Sequence, residues 1–245
     1  INNSKIYRGN LFSKIKKYIN KRGFNKFISR AIFKSLCVFE KFLIINNKKY
    51  QGFFKKYDLK QFDIKIIYVN ANFSNNGLIQ KYDQEDLKKI NEENLNLIVR
   101  GESAILKGDI LNLCPNGVIS FHHADNDINR GGPPGFWEVY FQDPRTGFVI
   151  QRLKEELDSG DVYYKGFVKT SWIYTLNLIR LYEISNSFIH LVLDDLTSSS
   201  PKFKIKKKVP YYNTLFTDPS PFQIFKYLLK TLNIFLKKLI RKVRK

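Results

Sequence analysis

The strongest constraint on this chain is the length of its apolar runs. Ile64–Val69, Leu95–Val99, Val118–His122 and Phe148–Leu153 are each five or six residues long, rich in β-branched side chains, and bounded by polar or glycine-containing stretches. Runs this short suit strands. Helical patterns lie between and after them. One starts at "DQED", where Asp83 is a candidate N-cap with acidic residues in the first turn. A second starts near Gly135, and a third spans Ser171–Ile184 with Leu176, Ile179, Leu181 and Ile184 as its stripe. Strands alternating with helices predict an α/β fold with an open, mostly parallel sheet flanked by helices. Ligands in such sheets sit beyond the carboxyl ends of the strands, and His122 stands at one of those ends.

The flanks read differently. Residues 11–45 carry Phe24, Phe27, Ile28, Ala31, Phe39, Phe42 and Leu43 at helical spacing, with Cys37 in the packing face and a break near Gly23. Residues 197–221 are rich in Ser, Pro and Lys and read as a linker. Residues 222–245 predict a basic amphipathic helix: Phe225, Leu228, Leu229, Leu232, Phe235, Leu236, Leu239 and Val243 form a stripe, and eight Lys and Arg with no acid fill the rest. Four parts are expected: a helical part over 1–63, a core over 64–196, the linker, and the helix. Because the chain opens on Ile1 and holds no Met, the start of the first part is expected to lie upstream.

Composition narrows the function. The net charge of +20 would suit a polyanion, but no nucleic-acid motif accompanies it, so nucleic acid is not the expected partner. The basic helix would suit an anionic membrane surface. No run is long enough to span a bilayer, and no secretory signal is visible. Two cysteines without ligand or redox spacing fit a reducing compartment. The expected location is cytoplasmic, peripheral at the inner membrane face.

Two of the three histidines are adjacent, in "SFHHADNDINRGGPPGFWE". His122, His123, Asp125 and Asp127 are metal-ligand types. Neighbours on a strand, however, point to opposite faces, so one ion shared by both histidines is disfavoured and no metal is expected. The other reading makes His122 a polar catalytic group, with Asp158 of "EELDSGD" reaching it from an adjacent strand end. A carboxylate beside an imidazole favours its charged form, which suits chemistry that builds negative charge on a carbonyl oxygen. His123 is expected to pack on the other side of the strand, and His190, in "FIHLVL", to be a structural histidine.

These residues resemble the folate-dependent formyltransferases. That family carries Asn-x-His at a strand end and, later, an Asp in a "Leu/Val-Asp-x-Gly" loop. Here "SFH" (120–122) and "LDSG" (157–160) take those places, "TGFVIQRLKEELDSGDV" (146–162) follows the second segment closely, and "GESAILKGDIL" (101–111) resembles a pterin-holding loop. The resemblance covers residues 64–168 and implies a Rossmann-like catalytic domain. It further implies 10-formyltetrahydrofolate as formyl donor, an amine as acceptor, and His122, Asp158 and Ser120 as the catalytic set. Ser103, Ala104, Ile105, Leu106, Lys154, Glu155, Glu156 and Leu157 would hold the donor; Asn129, Arg130 and Gly131 would meet the acceptor. Methionyl-tRNA formylation is disfavoured because the stretch after Asp158 is too short for the extra domain of those members. A nucleotide- or lipid-linked amino sugar fits better. Ser120 replaces the family's Asn, which leaves three alternatives: the serine substitutes, Asn126 or Asn129 takes over, or activity has decayed and the chain is a membrane-surface scaffold.

Overall fold

The computed structural model describes residues 10–243 except 75–76, 102–103, 129, 157–159 and 199–214. In chain order the elements are α1 (Leu11–Arg22), α2 (Phe24–Ile45), β1 (Ala71–Phe73), β2 (Ile79–Tyr82), α3 (Gln84–Asn91), β3 (Ile98–Arg100), β4 (Ile105–Leu106), β5 (Val118–His122), α4 (Phe136–Phe141), β6 (Arg145–Arg152), β7 (Asp161–Lys169), α5 (Tyr174–Thr197) and α6 (Pro221–Val243). Gly23, at φ 84°, separates the first two helices, at the break the sequence marks.

The class is α/β, and the sheet is mixed. Its main part runs β3-β5-β6-β7, with β3 and β5 parallel and the β5–β6–β7 meander antiparallel. A smaller sheet, β1-β2-β4, has one antiparallel and one parallel pairing. One predicted strand fails: Ile64–Val69 holds only a bridge residue at Val69, and the strand forms next door in β1. Apolar content alone does not make a strand where the side chains stay wet; Ile64 and Tyr68 are 51% and 50% exposed.

The alternation of β5 builds the site. Ile119 and Phe121 face α5, packing with Ile150, Val192 and Phe188. Val118 faces the other way, into a cluster with Leu87, Ile90, Leu106 and Ile110. The next residues on that face are Ser120 and His122. The apolar layer over Val118 does not continue over them, and a cleft opens there.

The predicted C-terminal helix forms as α6 and is pinned to the domain. Ile224 and Tyr227 are buried with Phe33 and Leu36 of α2, Phe136 and Trp137 of α4, and Tyr174 of α5. The Tyr227 hydroxyl donates to Glu40 of α2 and accepts from the Tyr174 N–H at 2.8 Å. The other Glu40 oxygen accepts from the Thr175 N–H at 2.7 Å. Glu40 and Tyr227 therefore satisfy amides in the first turn of α5, which lacks a side-chain cap of its own. Burial raises the Glu40 carboxyl above its ordinary value, against the lowering by Tyr227 and Thr175. In α2 the core face is Phe33, Leu36, Glu40 and Ile44, whereas Phe39, Phe42 and Leu43, apolar positions at the same helical spacing, are exposed.

Candidate active site

The cleft at the carboxyl end of β5 has a volume of about 670 Å³. Its floor is a row across three strands. Arg100 of β3 pairs in register with Ser120 of β5, and Ser120 with Gln151 of β6; all three side chains line the cleft. His122 stands one step further along the same face, and its Nε2 is shielded from solvent. Ala104, Ile105 and Leu106 line it, as do Lys154, Glu156 and Gly160. Tyr182 and Asn186 of α5 also line it.

His123 packs on the α5 side, as strand alternation predicts, and its ring also lines the cleft. It stacks on Phe121 at 5.6 Å and lies 4.1 Å from the Tyr182 ring. Its Nε2 is 3.0 Å from the Ser185 hydroxyl. That hydroxyl also lies 3.2 Å from the Tyr182 carbonyl, to which it donates. Burial, reinforced by the neighbouring His122, pushes the His123 pKa down to about 4. At neutral pH the ring is an uncharged wall of the site.

The aspartates of "HHADND" are held by a side chain. Lys165 of β7 places its ammonium 2.5 Å from Asp125 and 2.6 Å from Asp127. Burial lowers the Lys165 pKa, but the two carboxylates outweigh it and the net shift is upward. Among the described residues no cluster of His, Cys, Asp and Glu could hold a metal ion.

The residues named from the sequence divide as follows. Ser120, His122, Ala104, Ile105, Leu106, Lys154, Glu156 and Gly131 share the cleft. Asp158, Leu157, Ser103 and Asn129 lie outside the described residues. Of the residues expected to hold the folate, Ile105 spends its N–H on the Leu78 carbonyl, and the Ala104 carbonyl accepts from the Arg100 side chain. Strand pairing and the Arg100 guanidinium therefore take up some backbone groups expected to hold a ligand; Leu106, alternate to Ile105, directs its own away from β2. Glu155 turns from the cleft and accepts from the Gly108 N–H at 2.9 Å. Lys154 pairs with Asp161 at 2.6 Å.

Arg130, read as an acceptor-binding residue, is instead 6% exposed and does not line the cleft. Its Nε donates to the Asn126 carbonyl at 2.7 Å, clamping its own loop. Asn126 is likewise buried outside the lining. The Arg-Gly-Gly-Pro-Pro turn seats a later segment: Phe216 N–H donates to Arg130 O, and Gly132 N–H to Phe216 O. Gly131 sits at φ 100°, where a Cβ would lie 2.2 Å from the Phe216 carbonyl oxygen, so only glycine fits. His190 is exposed on α5 rather than packed. Gln151 escaped the sequence reading; its signal was strand register with Ser120, which requires knowing that β5 and β6 pair.

No family model matches this chain. It is 38% identical over 66 residues to the methionyl-tRNA formyltransferase of Anaeromyxobacter sp. (strain K), covering 27% of this chain and 21% of that protein. The corresponding protein of Solibacter usitatus is 29% identical over 69 residues, or 28% of this chain and 22% of that one. The match thus spans about a fifth of the curated relatives' length. Among solved structures, a sugar N-formyltransferase from a Shewanella species aligns with 61% of this chain and 64% of its own at 22% identity and a TM-score of 0.45. The fold and the cleft define an α/β domain with a polar pocket at its strand ends. Over the matched stretch the chain is similar in sequence to methionyl-tRNA formyltransferases.

Proposed function

We propose that this chain transfers a formyl group from 10-formyltetrahydrofolate to an amine, with residues 64–196 supplying the catalytic and donor-binding groups. The observation that carries the reading is the convergence of Ser120, His122, Ala104–Leu106, Lys154 and Glu156 on one cleft. The pterin would lie between the Ala104–Leu106 strand and the Lys154–Leu157 loop. Its formyl group would then sit over Ser120 and His122. The amine lone pair attacks the formyl carbon and the carbonyl electrons move to oxygen. Collapse re-forms the carbonyl, breaks the bond to the folate nitrogen, and delivers a proton to that nitrogen as the amine loses one. His122, oriented by Asp158, stabilises the oxyanion; holding amine and formyl group in contact supplies the rest.

The acceptor proposed is a small amine, an amino sugar on a nucleotide or lipid carrier, admitted past Asn129 and Gly131. A titration with 5-formyltetrahydrofolate, followed by intrinsic fluorescence, should give saturable binding. Its absence would favour the scaffold reading.

The proposal extends to an anionic membrane surface as a partner of α6. Ile224 and Tyr227 hold the helix to the protein, whereas Phe225, Leu228, Leu229, Leu232 and Leu236 are exposed. A second copy docked there would bring two clusters of Lys and Arg together; anionic lipid answers both the apolar stripe and the charge. Phosphatidylserine vesicles should therefore sediment the full chain. Replacing Leu228 and Leu232 by Ser should abolish co-sedimentation without unfolding the domain. Equal sedimentation of the variant would remove this partner.

A further inference from the structure

The formyl-transfer reading needs hydrogen-bond donors where the oxyanion forms, and Ser120 offers only one, whose contact with the Phe121 carbonyl is 3.4 Å long. The cross-strand partner of Ser120 is Gln151. Residues in register on paired antiparallel strands put their Cβ atoms about 4.5–5.5 Å apart, within reach of one small ligand group. Gln151 is 6% exposed and lines the cleft beside Ser120 and His122. Among the described residues its side-chain amide makes no hydrogen bond, and it is not sealed away from solvent either. A buried amide of this kind normally finds a partner, and this one lines the cleft.

The orientation agrees. The Gln151 Oε1 lies 3.2 Å from the place where a side chain on Gly160 would begin. Gly160 precedes β7, so the carbonyl end of the amide leans toward that strand. The register with Ser120 puts the start of the side chain beside β5, and the proposed role has the NH₂ end facing that strand. Gly160 permits this arrangement, because a Cβ there would also meet the Arg152 carbonyl at 2.3 Å.

We propose that Gln151 is a catalytic residue of the formyl transfer, its amide NH₂ donating to the oxyanion alongside Ser120 and His122. This rests on the reading above. The donor set is then split across two adjacent strands, with the hydroxyl and imidazole on β5 and the amide on β6. A neutral amide gives up no proton and keeps its donor at every pH, so it stabilises charge without entering the proton balance.

The test uses the full chain with 10-formyltetrahydrofolate as donor and hydroxylamine as acceptor, reading formohydroxamate as its ferric complex. Gln151→Met preserves length and removes the donors. Its kcat should fall by about 10²-fold, the usual loss for one oxyanion donor, with the KM for the folate little changed. The double variant Ser120→Asn with Gln151→Met returns an amide to the row from the other strand and should recover about tenfold of the loss. A purely structural role would not predict that rescue. A Gln151→Met enzyme with unchanged kcat would overturn the proposal, as would one that loses folate binding and thermal stability together with no rescue. A wild-type chain that neither binds folate nor transfers formyl would sink the parent reading instead, and the Gln151 role with it.

Discussion

Replacing His122 by alanine should lower formyl transfer by about 10³-fold while leaving folate binding nearly intact, since a positioned acid–base group commonly contributes 10²–10⁴-fold. The expectation follows from position. His122 is the last residue of β5, on the face that carries Ser120, and Val149 of β6 pairs opposite it and fixes the backbone. Asparagine at this position would retain a hydrogen-bond donor that does not titrate. It should fall between wild type and alanine, and the spread between the two variants measures how far the imidazole does more than donate a hydrogen bond. Steady-state kcat and KM with hydroxylamine as acceptor read both quantities. Loss of folate affinity in step with kcat would mean that His122 serves binding alone.

Glu40→Ala should destabilise the domain by about 3–5 kcal/mol, the range for breaking a buried charged network. It strips the acceptor from the Tyr227 hydroxyl and from the Thr175 N–H, both buried, and each orphaned donor costs about 1–3 kcal/mol. Glu40→Gln keeps one acceptor oxygen and should cost less than half as much. Denaturant titration by circular dichroism measures both. A pH dependence accompanies the effect. Because burial raises the Glu40 carboxyl, the folded state holds this proton more tightly than the unfolded chain. Its contribution is most favourable below the ordinary carboxylate range and declines as pH climbs through the raised value. Glu40→Gln should flatten that part of the profile.

Glu40 also shows where the sequence was legible and where it was not. β5, the pair of helices broken at Gly23, α4 near Gly135 and the basic C-terminal helix all follow from short apolar runs, helical spacing and one glycine with positive φ. Glu40 was missed because it interrupts an apolar stripe: Phe33, Leu36, Glu40 and Ile44 form the inward face of α2. A carboxylate in such a face signals a buried partner, but that partner lies on α6, which no local pattern reveals. The same limit hid Gln151, whose neighbour is set by the β5–β6 register, and misread Arg130, whose charge suggested a ligand while its loop used it. The place of His122 and Ser120 in the cleft was legible because both stand at a strand end. The apolar stripe of α6 was legible as a pattern, but not the direction it faces.

The clasp between the Gly131–Gly132 turn and Phe216 bears on how this molecule can be cut. A fragment ending with α5 would keep every strand of the main sheet, yet it would lack the backbone that braces the loop next to His122. It would also lack the tyrosine that closes over Glu40. Any minimal unit made for ligand work has to extend past Tyr227, because the rear of the chain is a buttress of the pocket it follows.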